Sequence, residues 1–265
     1  MKVVLFCGGY GNRMRDGRTD LPKPMTMLGD RPLLWHVMRY YAHFGHRDFI
    51  LCLGFGAQHI KDYFLNYRES TSNNFILRDG GRDLELLRTD MDGWTITFVD
   101  TGLESPIGER LRRVEPHLGD AEVFLANYAD VLTDAPLNDM VADLQGSPDA
   151  LASLLAVRPQ AAFHLVDVGP GNFVTKIVSV SQIPMRENAG YFVFRRELIE
   201  HIAPGEDLVA DVLSRLSTQG RVKAFQHDGF WQPADTKKEL LLLETMHQAN
   251  DRPWAPWAST PDGPT

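Results

Sequence analysis

The sequence predicts an α/β protein built on a mainly parallel sheet, and three observations predict it. Short apolar runs at Lys2 to Cys7, Phe49 to Leu53 and Glu122 to Asn127 have strand length and little alternation, as strands covered on both faces do. Segments with apolar residues at helical spacing follow the first two of them. A glycine-rich turn, Gly8-Gly9-Tyr10-Gly11, follows the first run directly. Strands alternating with helices imply a sheet with helices on both faces. Ligands then belong at the carboxyl ends of the strands.

Pro32 starts a helix that runs to about Phe44, with Leu33, Leu34, Val37, Met38 and Tyr41 on one stripe. Trp35 and His36 on that helix read as core or interface residues. A second helix over Gln58 to Tyr67 carries Ile60, Phe64 and Tyr67. Residues 68–92 are polar and glycine-bearing without a clear period, which fits a hairpin or a flap. Trp94 to Asp100 alternates and reads as a strand. The second half is β-rich: Ala150 to Ala156, Phe163 to Val168, Thr175 to Val180 and Gly190 to Phe194, punctuated by Pro159, Gly169-Pro170-Gly171 and Pro184. These runs are expected as antiparallel additions to the sheet that form a substrate-facing lip. Leu208 to Leu216 and Glu239 to His247 read as closing helices. The segment 250–265 is rich in Pro, Ser, Asp and Gly, and its end is expected to lack fixed structure. Trp254 and Trp257 are expected to dock part of it on a surface, a neighbouring subunit's being one option.

Composition narrows the function. A chain of 265 residues is one large or two small domains, with 43% hydrophobic and 23% charged residues as in ordinary globular proteins. A net charge of −8 argues against general nucleic-acid binding, which needs basic stripes. The start does not read as a signal peptide, and no apolar run reaches the length of a membrane span. Cys7 and Cys52 sit in apolar runs and read as reduced core residues of a cytoplasmic protein.

The chemistry concentrates in a few places. A strand feeding a glycine-rich loop presents backbone N–H groups to an anion. Arg13 and Lys23, the latter within Pro22-Lys23-Pro24, add two cations. Together these can hold a triphosphate and stabilise charge at phosphorus. The dinucleotide fingerprint would need a third glycine where Met14 stands, and the Gly-Lys-Ser/Thr of a P-loop is missing. Asp130 and Asp235 follow strand-like runs and would suit one magnesium ion. Taken singly, each is as readily a turn residue or a helix cap, and Asp235 could cap a helix starting near Lys237.

These residues resemble the signature of sugar-1-phosphate nucleotidyltransferases, whose usual form is Gly-Gly-x-Gly-Thr-Arg followed by Pro-Lys-Pro. Four further stretches resemble the glucose-1-phosphate cytidylyltransferase branch. They are Leu34-Trp35-His36-Val37-Met38, then Val99-Asp100-Thr101-Gly102 with Gly108-Glu109-Arg110-Leu111, then Tyr128-Ala129-Asp130, and Gly229-Phe230-Trp231-Gln232-Pro233-Ala234-Asp235-Thr236. The family often has glycine where Ala129 stands. The resemblance implies a Rossmann-like α/β/α sandwich with a mixed, mainly parallel sheet, of the nucleotide-diphospho-sugar transferase type. It implies one domain over 1–249, with a nucleotide-binding half to about 135, a sugar-phosphate-binding half after it, and a Pro-rich tail. The implied reaction joins a nucleoside monophosphate from CTP to glucose 1-phosphate or a related hexose phosphate, with pyrophosphate leaving. A homo-oligomer that binds neither nucleic acid nor membrane is expected.

The same resemblance implies roles. Lys23 and Arg13 are the catalytic cations, on the α-phosphate and on the β and γ groups respectively. Cys7, Gly8, Gly9, Gly11, Asn12, Arg13, Lys23, Gly108 and Arg110 border the nucleotide. For Arg110 a solvated helix face is the competing reading. Tyr128, Lys176, Glu187 and Asn188 belong to the sugar-phosphate side, and Asp130 and Asp235 to magnesium. One departure concerns the acceptor. The usual Glu-Lys-Pro is replaced by Gln182-Ile183-Pro184, so the lysine that would meet the sugar phosphate is missing. Either Lys176 or Arg186 replaces it, or the acceptor is a different phosphorylated or phosphonate compound. A non-catalytic nucleotide-binding homologue is the remaining alternative.

Overall fold

The computed structural model describes residues 1–9, 21–160 and 163–259, and seven of its strands form one mixed sheet. They are β1 (Lys2–Phe6), β2 (Asp48–Leu53), β3 (Thr95–Asp100), β4 (Val123–Asn127), β5 (Ala152–Val157), β6 (Glu187–Arg195) and β7 (Val222–His227). Their order across the sheet is β7-β5-β6-β4-β1-β2-β3. β1 lies parallel to β2 and β4, β2 to β3, and β5 to β7. β6 runs against both its neighbours, β5 and β4. The chain builds outward from β1 to β3, then resumes on the other side of β1 with β4. Such a reversal opens a crevice at the carboxyl ends of the two central strands.

Helices cover both faces, as the alternating elements predict. Val3 and Leu5 of β1 point into one core, shared with α1 (Leu33–His43), Ile60 of α2 (Ala57–Leu65) and residues of α4 (Leu137–Gln145). Val4 and Phe6 point into a second core, shared with Leu111 and Val114 of α3 (Ile107–Val114) and with Leu208, Val212 and Leu216. The last helix, α5 (Lys237–Gln248), packs Leu243 into the first core. The stripe read on α1 is fully buried, and both cysteines are buried free thiols. Residues 68–92 contain a hairpin, Phe75–Arg78 with Asp83–Leu86. Among the described residues, no helix is long and apolar enough to cross a membrane.

Three features differ from the sequence-based expectation. β7 has no clear signal in the sequence, because an edge strand bearing Lys223, Gln226 and His227 lacks an apolar run. The runs near 163–180 do not join the main sheet. They pair as a separate hairpin, His164–Val168 with Val174–Ser179, whose first strand is exposed throughout. Trp254 and Trp257 dock on this chain's own core rather than on a neighbour. Trp257 meets Trp35 edge-on at 6.1 Å, and Trp254 lies 5.6 Å from Phe230. Packing therefore continues past residue 249. The last residues of the tail, expected to lack fixed structure, lie outside those described.

His36 carries a testable consequence. Burial lowers its pKa to about 4, and its Nε2 lies 3.1 Å from the Leu28 carbonyl oxygen. Below the ordinary value of 6.5 the unfolded chain takes up a proton that the folded chain refuses. Stability that is fully present above that pH is lost as pH falls toward 4, by about 3 kcal/mol for this residue. Urea unfolding between about pH 7 and about pH 5 should therefore depend less steeply on pH in His36→Gln than in the wild type. Parallel curves would show that another group is responsible.

Candidate active site

Two short strands outside the main sheet build the site. Val131–Thr133 pairs antiparallel with Trp231–Pro233, and Val131 stands opposite Pro233. One residue further along the same register, the Ala234 amide donates to the Asp130 carbonyl at 3.0 Å. Asp130 thus enters one arm of the ribbon where Asp235 leaves the other. The turn before Asp130 holds Ala129 at a φ of 65°, in the left-handed region, which accounts for the glycine usual there. The Ala129 amide donates to Asn127 Oδ1 at 2.6 Å, which helps to hold a conformation costing about 1 kcal/mol. Beyond the ribbon, Thr236 rather than Asp235 caps α5, in a capping box with Glu239. The Glu239 carboxylate also accepts from the Asp235 amide at 2.9 Å, so the start of the helix fixes the loop carrying the second acid.

Both carboxylates face Lys23. Its Nζ donates to Asp130 Oδ2 at 2.7 Å and to Asp235 Oδ1. Lys23 begins a short turn, Lys23–Met25, flanked by Pro22 and anchored by buried Pro24 and Met25. Burial pushes the Asp130 carboxyl up, and the Lys23 ammonium pulls it back down. Two acids from distant segments converging on one cation are what magnesium requires, since it takes one or two carboxylates and completes its shell with phosphate and water. The residues fit such an ion.

Beside them lies the end of β1. Cys7 extends the strand by donating its amide to the Cys52 carbonyl at 3.0 Å, and it is fully buried. Cys7, expected to border the nucleotide, thus supports the start of the loop from within. Gly8 is buried and Gly9 exposed. Gly11, Asn12 and Arg13 lie outside the described residues. Arg110 is not on a solvated face. It is 4% exposed, and its guanidinium is enclosed by acceptors. Nη1 donates to the Leu53 carbonyl at 3.2 Å and to Thr101 Oγ1 at 2.8 Å. Nη2 donates to the Gly8 carbonyl at 3.1 Å and the Leu103 carbonyl at 3.2 Å. A Cβ at position 8 would lie 2.1 Å from Arg110 Nη1, so a larger residue would have to displace that guanidinium. Gly108, expected at the nucleotide, is packed tightly against the segment at Glu206. A Cβ there would lie 2.4 Å from the Glu206 carbonyl oxygen.

Next to the two acids opens a cavity of about 730 Å³. Tyr128, Asp130, Glu187, Asn188, Asp235 and Lys238 are among its lining residues. Asn188 Nδ2 donates to the Tyr128 hydroxyl at 3.4 Å, and burial raises the Glu187 pKa. Three of the four sugar-side residues expected from the sequence are thus brought together. Lys176 is not among them, because it belongs to the exposed hairpin, opposite Asp167 in its register. Arg186 is also placed elsewhere, with Nη1 donating to the Ala156 and His227 carbonyls and to Asp228.

No protein-family model matches the chain. Individual relatives do. Glucose-1-phosphate cytidylyltransferase of Salmonella typhimurium is 33% identical over 262 residues, spanning 97% of this chain and 100% of that protein. The probable glucose-1-phosphate cytidylyltransferase of Bacillus subtilis is 32% identical over 97% of this chain and 100% of its own length. The chain belongs to the glucose-1-phosphate cytidylyltransferase family. Among solved structures, UTP-bound UGPase from Acinetobacter baumannii superposes with a TM-score of 0.67 at 17% identity, covering 94% of this chain and 93% of that one. That likeness shows the Rossmann-like fold.

Lys238 and the capping pair Thr236 and Glu239 also line the cavity, and neither Lys238 nor Glu239 stands out in the sequence. The signal that could have found them is Asp-Thr-x-x-Glu, a capping box that places a helix start directly behind Asp235. The Arg110 network supplies a prediction. Arg110→Met leaves the Leu53, Gly8 and Leu103 carbonyls without this donor and should cost about 2–4 kcal/mol in urea unfolding. Arg110→Lys should recover little, since an ammonium cannot reproduce the planar fork. Wild-type stability in either variant would refute this role.

Proposed function

We propose that the protein transfers the nucleoside monophosphate of CTP to the phosphate of glucose 1-phosphate or a related hexose 1-phosphate, releasing pyrophosphate. The convergence of Lys23, Asp130 and Asp235 at one edge of the cavity carries this reading. The acceptor needs no protein base, because a phosphate monoester with a second pKa of about 6 is mostly a dianion at neutral pH. The barrier lies in bringing anions together and in the charge on the departing group. Lys23 meets that charge at the α-phosphate, and Arg13 is assigned to the β and γ groups. Gly8 and Gly9 bring backbone close to the triphosphate, with Arg110 holding the Gly8 carbonyl in place. Tyr128, Glu187 and Asn188 face the sugar. Asp130 and Asp235 would hold magnesium, which when bound neutralises phosphate charge. Cys7 and Cys52, free thiols in the core, support a reducing cytoplasm as the setting.

One observation favours a second reading of the acceptor. Ile183 stands where the family lysine would meet the sugar phosphate, so a different phosphorylated or phosphonate acceptor is the competing substrate. Pyrophosphate release measured with each of the common nucleoside triphosphates against a panel of sugar phosphates decides between them. CTP with a hexose 1-phosphate should react fastest, chelation should abolish the reaction, and added magnesium should restore it. Lys23→Ala should lower turnover by about 10²–10³. No release with any pair would sink the reading.

The homo-oligomer is proposed on separate grounds. Phe163, Leu165, Val166, Val168, Phe173 and Ile177 of the projecting hairpin segment are all more than 45% exposed. An isolated two-stranded hairpin is marginal in water, and apolar patches of this kind mark interfaces. Light scattering should find an oligomer that Phe173→Asp with Ile177→Asp shifts toward monomer. A monomeric wild type would contradict this.

A further inference from the structure

We propose that Lys238 supplies the positive charge that holds the acceptor's phosphate, a role that rests on the nucleotidyl-transfer reading. An acceptor dianion must enter a cavity whose wall carries the carboxylates of Glu187 and Glu239 beside the Asp130 and Asp235 pair assigned to magnesium. Without a compensating cation its approach is repelled. Lys23, paired with the two aspartates, is assigned to the α-phosphate of the nucleotide and not to the acceptor. The apolar side chain of Ile183 can donate nothing. Lys176 stands on the exposed hairpin, and Arg186 is tied to two backbone carbonyls and Asp228. Among the described residues, Lys238 is the one cation lining this cavity.

Its position is chemically specific. Lys238 stands in the first turn of α5, just beyond Asp235, on the wall that carries the second acid. Glu239 beside it is turned to the amides of Asp235 and Thr236 and so does not neutralise it. Among the described residues no hydrogen bond or ion pair engages the Lys238 ammonium. Lysine at this place also works against the helix, because the N-terminal turn carries partial positive charge and favours acids. A cation placed where the helix disfavours it, and facing a cavity, breaks a local rule, and functional sites are where such breaks concentrate. A bound phosphate would reverse that penalty by meeting both the ammonium and the helix end. Lys238 is thus a specificity-determining residue: it replaces a cation from the loop at 183 with one from the wall formed by α5.

The test uses the full chain and the hexose 1-phosphate that the wild type turns over fastest with CTP. Lys238→Gln should raise the KM for that acceptor by about 10–100-fold, the worth of one charge-assisted hydrogen bond. The KM for CTP should stay within about twofold, since the triphosphate is held by other residues, and Lys238→Arg should restore most of the acceptor affinity. Calorimetric titration with glucose 1-phosphate, in parallel with glucose, should show that the variant loses the preference for the phosphorylated sugar. An active wild type with an unchanged acceptor KM in Lys238→Gln would overturn the role of Lys238 and leave the transfer reading intact. Equal rises in both KM values would also overturn it. Failure of the wild type to release pyrophosphate with any pair would overturn the transfer reading itself. In that case the titration alone decides Lys238, and equal affinity of wild type and variant for glucose 1-phosphate refutes it.

Discussion

The site depends on the register of one small antiparallel ribbon. Val131–Thr133 and Trp231–Pro233 are short, yet their pairing places Asp130 and Asp235 side by side. A slip by one residue would send the side chains to the opposite face and separate the acids. Several bonds guard that register. Tyr191 donates its hydroxyl to the Val131 carbonyl at 2.7 Å, Thr133 Oγ1 donates to the Phe230 carbonyl at 2.7 Å, and the Trp231 indole donates to the Ala189 carbonyl at 2.9 Å. Tyr191 and Ala189 both belong to β6, so the ribbon is tied to the main sheet.

The ends of β1, β2 and β3 are held differently. There several carbonyls turn toward one place, and the constraint is the charge that gathers them. A single buried guanidinium gathers acceptors from the ends of β1 and β2 and from the turn after β3. Arginine suits this because its fork is planar and always charged. The carboxyl ends of three neighbouring strands are thereby locked together beside the point where the strand order reverses. Loops that leave such a point can vary in chemistry without disturbing the sheet that carries them.

On the proposed reading, the acceptor site departs from the pattern that the sequence otherwise resembles. The loop at 182–184 carries no charged residue, while Lys23, Asp130 and Asp235 match that pattern. Charge in a cavity can be supplied from any wall, because a phosphate is recognised by several donors around it and not from one direction alone. The helix start behind Asp235 offers such a wall. The exposed hairpin that follows β5 reflects a second freedom, since nothing in the main sheet requires it.

Much of this was legible in the sequence. Apolar runs with no alternation set the buried parallel strands, because both faces of each must be covered. The stripe on α1 and the burial of His36 could be read from residue type and local order, whereas Asp130 and Asp235, ambiguous taken singly, were joined to Lys23 through the family resemblance. What needed the tertiary structure was every decision made by packing between distant segments. Arg110 looks like any surface arginine in a helix until β1, β2 and the turn after β3 close around it. Gly108 shows why it must be small only once Glu206 is packed against it. Lys176 is near the right place in sequence and on the wrong element in space. The order of residues thus determined the fold class and the candidate reacting groups, since periodicity and side-chain chemistry are local properties. The three-dimensional arrangement alone decided which cations share a cavity with those groups, because that depends on strand register and on which walls enclose the same space.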